Sequence, residues 1–419
     1  MKKQPLLTPI LRWFMFAMIL ANIAGSMSPL LMSLYLTQLG ASIEQVGLVF
    51  TLSSFAILFL QIFGGWISDS IGRLRAIAFG SIGGIFGFVA LLLAPTWQWM
   101  ILALVVYQIP FAVVGPSFTA FIAENSSEEN RGKVYGITGT IYQITGVLGP
   151  PLGGWLAGAF SFKFMLLMAG ILYTIAAGLR IWMATTMHSA QEKISGGLTV
   201  KSFGKTMGSM LGLLFAGGVI TWILITDGIS DTAFRLSDNL QPLYLSNIGH
   251  IPIQQIGLLG SINAIAVMFV PILSGRISDK YGERYSLISG FAMIFVAFMV
   301  FLQAKTFLVF ALSWAIFGIG GGMLGPGYQS LISKVVPRKL LGTFSGVFSS
   351  SIGLVSLLAP WVGSKLWETF SPQTPFLITA IAALLIIIPI WFKFRVPKNP
   401  KPPESGEILP VETEYSADQ

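Results

Sequence analysis

The chain has 419 residues, 54% of them hydrophobic and only 10% charged, against roughly 45–50% and about 25% in soluble domains. That balance excludes a water-soluble globular enzyme and describes a polytopic membrane protein. The formal charge of +8 invites a nucleic-acid reading, which the placement of the charges excludes.

In chain order, apolar stretches fall near residues 10–39, 46–68, 76–95, 98–122, 134–159, 162–186, 209–246, 254–275, 285–304, 307–333, 343–366 and 375–394. Each approaches or exceeds the roughly 20 residues that span a bilayer as a helix. The expected fold class is therefore an all-α integral membrane protein of twelve transmembrane helices in two six-helix halves. The first stretch follows Met1-Lys2-Lys3 and runs from Trp13 to Leu39 without a charge or a small-residue cleavage site, so it is expected to be retained as an uncleaved insertion signal. All of the 25 Lys and Arg except Lys163, Lys305, Lys365 and Arg235 fall at the termini, in alternate loops or at the helix ends beside them, and Arg180 is counted with these. The positive-inside bias then puts both termini in the cytoplasm of a multi-pass cell-membrane protein. The basic charge reports topology and implies no nucleic-acid partner.

The chain is duplicated. Gly65-Trp-Ile-Ser-Asp69-Ser-Ile-Gly72-Arg73-Leu-Arg75 recurs 210 residues later as Gly275-Arg-Ile-Ser-Asp279-Lys-Tyr-Gly282-Glu-Arg284. Gly47 answers Gly257, Gly115-Pro116 answers Gly325-Pro326, Gly132 and Gly136 answer Gly342 and Gly346, and Pro150 answers Pro360 at the same offset. Such a repeat marks transporter architectures. It divides the chain into an N-terminal half (1–186), a polar and basic cytoplasmic linker (187–208), a C-terminal half (209–395) and a tail (396–419). The tail, rich in proline and glutamate, is expected to be disordered because it has little apolar surface to bury.

Gly204-Lys205-Thr206 in the linker ends like a phosphate loop, but Thr199 stands where that loop needs glycine, and no buried strand precedes it. Gly318-Ile-Gly320-Gly321-Gly322 lies inside an apolar span and reads as a helix-packing surface rather than a dinucleotide loop. With no cysteine there is no disulfide or Cys-based metal site, and no nucleophile–base pair or metal-ligand cluster is visible. No enzymatic activity, cofactor or metal is expected.

The duplicated loop resembles the signature of the major facilitator superfamily between helices two and three, broadly Gly-x-x-x-Asp-Arg-x-Gly-Arg-Arg. Gly65, Asp69, Gly72 and Arg73 match in the first copy, and Gly275, Asp279 and Gly282 in the second, which keeps Lys280 and Arg284. Ser70, Leu74 and Glu283 depart from it. The resemblance implies two cytoplasmic gating latches, with Asp69 facing the N-terminal end of helix eleven and Asp279 that of helix five, where a helix dipole favours a carboxylate. The alternative is a folding and topology signal alone. In helix five, Gly136, Gly149-Pro150, Gly153 and Gly154 resemble the motif of the family's proton-coupled exporters, with Thr145 in place of its middle glycine. Proline and glycine together make a kinked, closely packed hinge. Helix four lacks the membrane arginine that many such exporters carry.

Four charges in the seventh span are the least expected: Asp227, Asp231, Arg235 and Asp238. At 100° per residue they fall within an arc of about 80°, and intramembrane charges usually mark substrate or ion pathways. Matched to the first span they correspond to Met18, Asn22, Ser26 and Pro29. Asp231 and Arg235 are spaced to pair, which leaves Asp227 as the freer carboxylate for a proton. Two alternatives stay open, an external loop beyond Thr226 and a purely structural ion cluster. The resemblance places helices one, four, seven and ten around a central cavity; Asn22, Tyr107, Gln108, Tyr142, Gln143, Trp222, Asn263, Tyr328 and Gln329 are further cavity candidates. Each could equally satisfy a neighbouring helix backbone.

The resulting expectation is a monomeric secondary transporter of the drug/proton antiporter group, exporting amphipathic or drug-like small molecules against protons by alternating access. The alternatives are an uptake or exchange carrier for a small polar or anionic solute with Arg235 as anchor, a lipid flippase, and a receptor on the same fold.

Overall fold

The computed structural model describes residues 6–186, 218–336, 348 and 352–395, apart from the side chains of residues 58, 59, 61–70 and 116. The linker, the tail, the start of the seventh span, and Gly342 and Gly346 lie outside the described residues. Those described form helices and connecting turns, and eight helical spans among them are long and apolar enough to cross a membrane. Large apolar side chains such as Phe86, Phe269, Leu308 and Phe392 remain exposed, as lipid-facing positions do.

The helices are α1 (Pro9–Met27), α2 (Met32–Gln38), α3 (Ile43–Ile71), α4 (Arg73–Leu93), α5 (Trp97–Tyr107), α6 (Ile109–Asn125), α7 (Glu128–Ala159) and α8 (Phe162–Thr186) in the first half. In the second they are α9 (Gly218–Ser237), α10 (Gln241–Asn247), α11 (Ile253–Tyr281), α12 (Glu283–Gln303), α13 (Phe307–Val335), α14 (Ala359–Thr369) and α15 (Thr374–Lys393). The repeat is visible in backbone detail. A single 3-10 turn interrupts the first and seventh spans, at Pro29–Leu31 and Asp238–Leu240, 209 residues apart, whereas α3/α11 and α4/α12 are 210 apart. Gly72 and Gly282, at the turns of the duplicated loop, adopt φ of 89° and 102°. A side chain is strained there, which is why both copies keep glycine.

The described residues pack as two compact units, one within Met1–Leu198 and Asn239–Ala264 and the other within Thr199–Asp238 and Ile265–Gln419. In the first, α1 lies against α7 and α8, and α4 against α5, α6 and α8. Leu11, Phe14, Met18, Ile77, Phe121 and Met183 are central to a buried cluster there. Asn239–Ala264 belongs to this unit because small residues let α11 approach α7: Gly154 and Gly257 meet backbone to backbone, and Ser261 Oγ donates to the Val147 carbonyl at 2.6 Å. Lipid offers no hydrophobic drive for helix association, so such close approaches carry much of the packing. In the second unit α12 packs on α13 and α15, and α9 on α14 and α15, around the rings of Phe298, Phe301, Phe310 and Phe376.

The departure at Glu283 has a structural reason. Arg73 Nε contacts Glu124 Oε1 at 3.4 Å in the first half; in the second, Glu283 Oε1 contacts Lys334 Nζ at 2.7 Å and accepts from Ser330 at 2.9 Å. The two pairs occupy repeat-equivalent positions with their charges exchanged. Glu283 is only 4% exposed, and a buried carboxylate stripped of its partner is strongly destabilising, by about 3–5 kcal/mol in fully buried cases. Lys334→Glu is therefore expected to lower thermal stability in detergent, and Glu283→Lys with Lys334→Glu to recover most of it. A double variant no more stable than the weaker single one would show that the exchange of charges is incidental.

Candidate functional site

Each unit contains a polar cavity. In the C-terminal unit, α9 continues as helix through Ser237, so Asp227, Asp231 and Arg235 lie on a helix and not in an external loop. Asp227, Ser230 and Asp231 open on a cavity of about 540 Å³ with Phe234, Phe317, Gly325, Tyr328 and Gln329. Asp231 Oδ2 accepts from Arg235 Nε at 2.7 Å, one helical turn on. Asp227 has no ion pair among the described residues. Tyr328 is 6% exposed and donates to Thr226 Oγ1 at 3.1 Å, which fixes its ring beside Asp227. Arg235 is off the cavity wall. Asp238 opens the 3-10 turn, is exposed and lies off the wall as well. Among the described residues the four charges thus separate into a carboxylate without an ion pair, an ion pair and a turn residue.

In the N-terminal unit a cavity of about 400 Å³ is lined by Met18, Asn22, Ser26, Phe88, Tyr107, Phe111, Phe118, Tyr142, Tyr173 and Arg180. Asn22 Nδ2 donates to the Met18 carbonyl at 2.8 Å, and Tyr107 donates to the Gly25 carbonyl at 3.2 Å. Ser26 donates to the Thr145 carbonyl at 3.0 Å where Gly149 of α7 meets α1. Pro150 packs on Gly260.

Other candidates stand apart from both cavities. Gln108 caps α5 where Pro110 forces a new helical start; Gln143 faces neither cavity. Trp222 carries the Lys393 ammonium over its ring at 5.6 Å. Asn263 Oδ1 is buried without a hydrogen-bond partner among the described residues. Of the loop residues, Asp279 is exposed and Gly275 has open space around it. Arg284 stacks over Tyr285 and Trp391 at 4.8 and 5.1 Å. Gly65 and Asp69 fall in α3 where side chains lie outside the described set.

Arg180 corrects the sequence reading. Counted there among the positive charges at cytoplasmic helix ends, it is 5% exposed and forms part of the N-terminal cavity wall. Its signal was present as an arginine six positions inside the apolar run that ends at Thr186, with no acidic residue on the same helix.

Comparison with known proteins agrees with this architecture. The family model described as Major Facilitator Superfamily matches residues 14–234 and again 223–414. A protein of Lactococcus lactis named as a homolog of the multi-drug resistance efflux pump PmrA is 24% identical over 86% of this chain and 89% of its own. A Na(+), Li(+), K(+)/H(+) antiporter of Planococcus maritimus is 22% identical over 75% of this chain and 79% of its own. Among solved structures, the nucleoside transporter NupG superposes with a TM-score of 0.76 at 15% identity, covering 92% of this chain and 100% of that one.

Proposed function

This chain belongs to the major facilitator superfamily, and on that premise we propose that it exports amphipathic small molecules across the cell membrane in exchange for protons, with both termini cytoplasmic. Membership makes it a multi-pass secondary transporter of small molecules and a carrier rather than an enzyme. The finer reading rests on one observation above others: Asp227 opens on the cavity of the C-terminal unit without an ion-pair partner among the described residues, while the neighbouring Asp231 is held by Arg235. A carboxylate that is not committed to an ion pair can take up and release a proton as its hydration changes, and charges inside a membrane are otherwise costly. The aromatic side of the same wall, with Phe234, Phe317 and Tyr328, suits an amphipathic body. The relatives named as an efflux pump and as a cation/proton antiporter support export and proton coupling.

In this reading Asp227 is the proton site and Asp231–Arg235 a positioning pair. The duplicated loops act as latches, and α7, with Pro150 and Pro151 inside it, serves as a hinge. Reconstitution into proteoliposomes tests it. A lipophilic monocation and an uncharged amphipathic dye should both be driven across the membrane by an imposed pH gradient, and a protonophore should stop them. Movement confined to small polar anions, indifferent to the gradient, would replace this reading with that of an exchange carrier.

A further inference from the structure

Arg180 is a buried cation whose hydrogen-bonding capacity is largely unused. Its guanidinium spends one donor on Ser81 Oγ at 3.0 Å, and its Nε has no partner among the described residues. The buried Tyr173 hydroxyl lies beside Arg180 and Ser81 but makes no well-aligned hydrogen bond among the described residues. Among the described residues no carboxylate lies on this cavity wall, where the other ionisable side chains are Tyr107, Tyr142 and Tyr173. An arginine does not shed its proton in such a place, and burying a charge without a counter-charge is expensive. A planar guanidinium with spare donors matches a carboxylate, which it can hold through two parallel hydrogen bonds. Around it the wall is aromatic, with Phe88 packed on Tyr107 and Tyr173 at ring distances of 5.2 Å and Phe111 and Phe118 nearby.

We propose that the N-terminal cavity is a binding site for an amphipathic organic monocarboxylate, with the carboxylate on Arg180 and Tyr173 and the apolar body against Phe88, Tyr107 and Phe118. A single uncompensated charge selects a monoanion, and a cavity of about 400 Å³ admits one or two fused rings or a short acyl chain. The site adds an anionic class to the amphipathic molecules of the transport reading and in that respect rests on it. It is complete within one unit, so binding can be measured without a gradient.

The experiment uses the purified full chain in nanodiscs and chloride-free buffer, titrated calorimetrically with 2-naphthoate and with its neutral isostere 2-naphthamide. Naphthoate should bind at least tenfold more tightly than the amide. Arg180→Gln should lower naphthoate affinity at least tenfold and leave the amide's unchanged, with Arg180→Lys between the two. Equal affinities for the two probes on the unmodified protein would overturn the site, and that comparison needs no variant to fold. Undiminished naphthoate affinity in Arg180→Gln would overturn it too. Displacement of naphthoate by chloride at equimolar concentration would mean a small inorganic anion site, and would overturn the assignment to organic acids. Loss of naphthoate binding in a protein that still moves dyes down the pH gradient counts against this site alone. Intact binding without driven transport counts against the transport reading alone.

Discussion

Asp227→Asn is expected to reduce gradient-driven transport at least tenfold while leaving counterflow, the exchange of substrate for substrate, within about twofold. The amide keeps the volume and polarity of the carboxylate but cannot exchange a proton, so the change removes coupling without reshaping the wall. Asp231→Asn should act differently. It takes from Arg235 the carboxylate that now accepts from it at 2.7 Å, leaving a half-exposed cation on a membrane helix, and its first effect should be on stability and substrate affinity. Initial rates in proteoliposomes, with and without a pH gradient, separate the two variants. If Asp227→Asn concentrated substrate at the unmodified rate across pH 6 to 8, the proton would have to travel elsewhere and the proposed role of Asp227 would be lost.

The second large effect is expected at Gly363. A Cβ built there falls inside contact range of the Leu236 carbonyl group, where α14 meets α9. Its repeat equivalent, Gly153, meets the Met27 carbonyl where α7 meets α1, so the same helix–helix contact is built twice on a glycine. Backbone atoms cannot swing aside as the tip of a side chain does, and overpacking of this kind costs about 1–3 kcal/mol or more. Gly363→Val should therefore sharply reduce recovery of monodisperse protein, and Gly363→Ala should lower its melting temperature. Gly178→Ala, with nothing within 4 Å of the added carbon, provides the control and should melt at or slightly above the unmodified protein. A Gly363→Ala protein as stable as that control would mean that α9 and α14 can part without loss.

How far these features were legible in one dimension varies with the range of the interaction behind them. The spans were legible because a bilayer demands a long apolar run from every crossing helix. The repeat was legible because backbone constraints recur at fixed spacing: Gly72 and Gly282 sit at matched positive-φ turns, and Gly153 answers Gly363. Even the change of offset in the first span, from 210 to 209, is reproduced by the 3-10 turns at Pro29–Leu31 and Asp238–Leu240. The pairing of Asp231 with Arg235 is a spacing of four on one helix, and a helix brings such residues together by itself.

Contacts between helices follow no such periodicity. Glu283 reads in sequence as a defect in a motif; folding shows it as one member of a pair whose other member, Lys334, lies 51 residues away and has exchanged charge with its repeat equivalent, Glu124. Arg180 reads as one more positive charge near a cytoplasmic helix end, because its distance from that end is all that the sequence displays. What surrounds it, Ser81 from α4, Tyr142 from α7 and Tyr173 about two turns before it on α8, is decided by how three helices pack. The sequence by itself determined that the chain crosses a membrane, that it is built twice, and that Asp231 and Arg235 are spaced to pair on one helix, since each is a local or periodic property of the backbone. Only the tertiary structure decided which buried charges have partners, since a counter-charge acts through space and its distance along the chain is free.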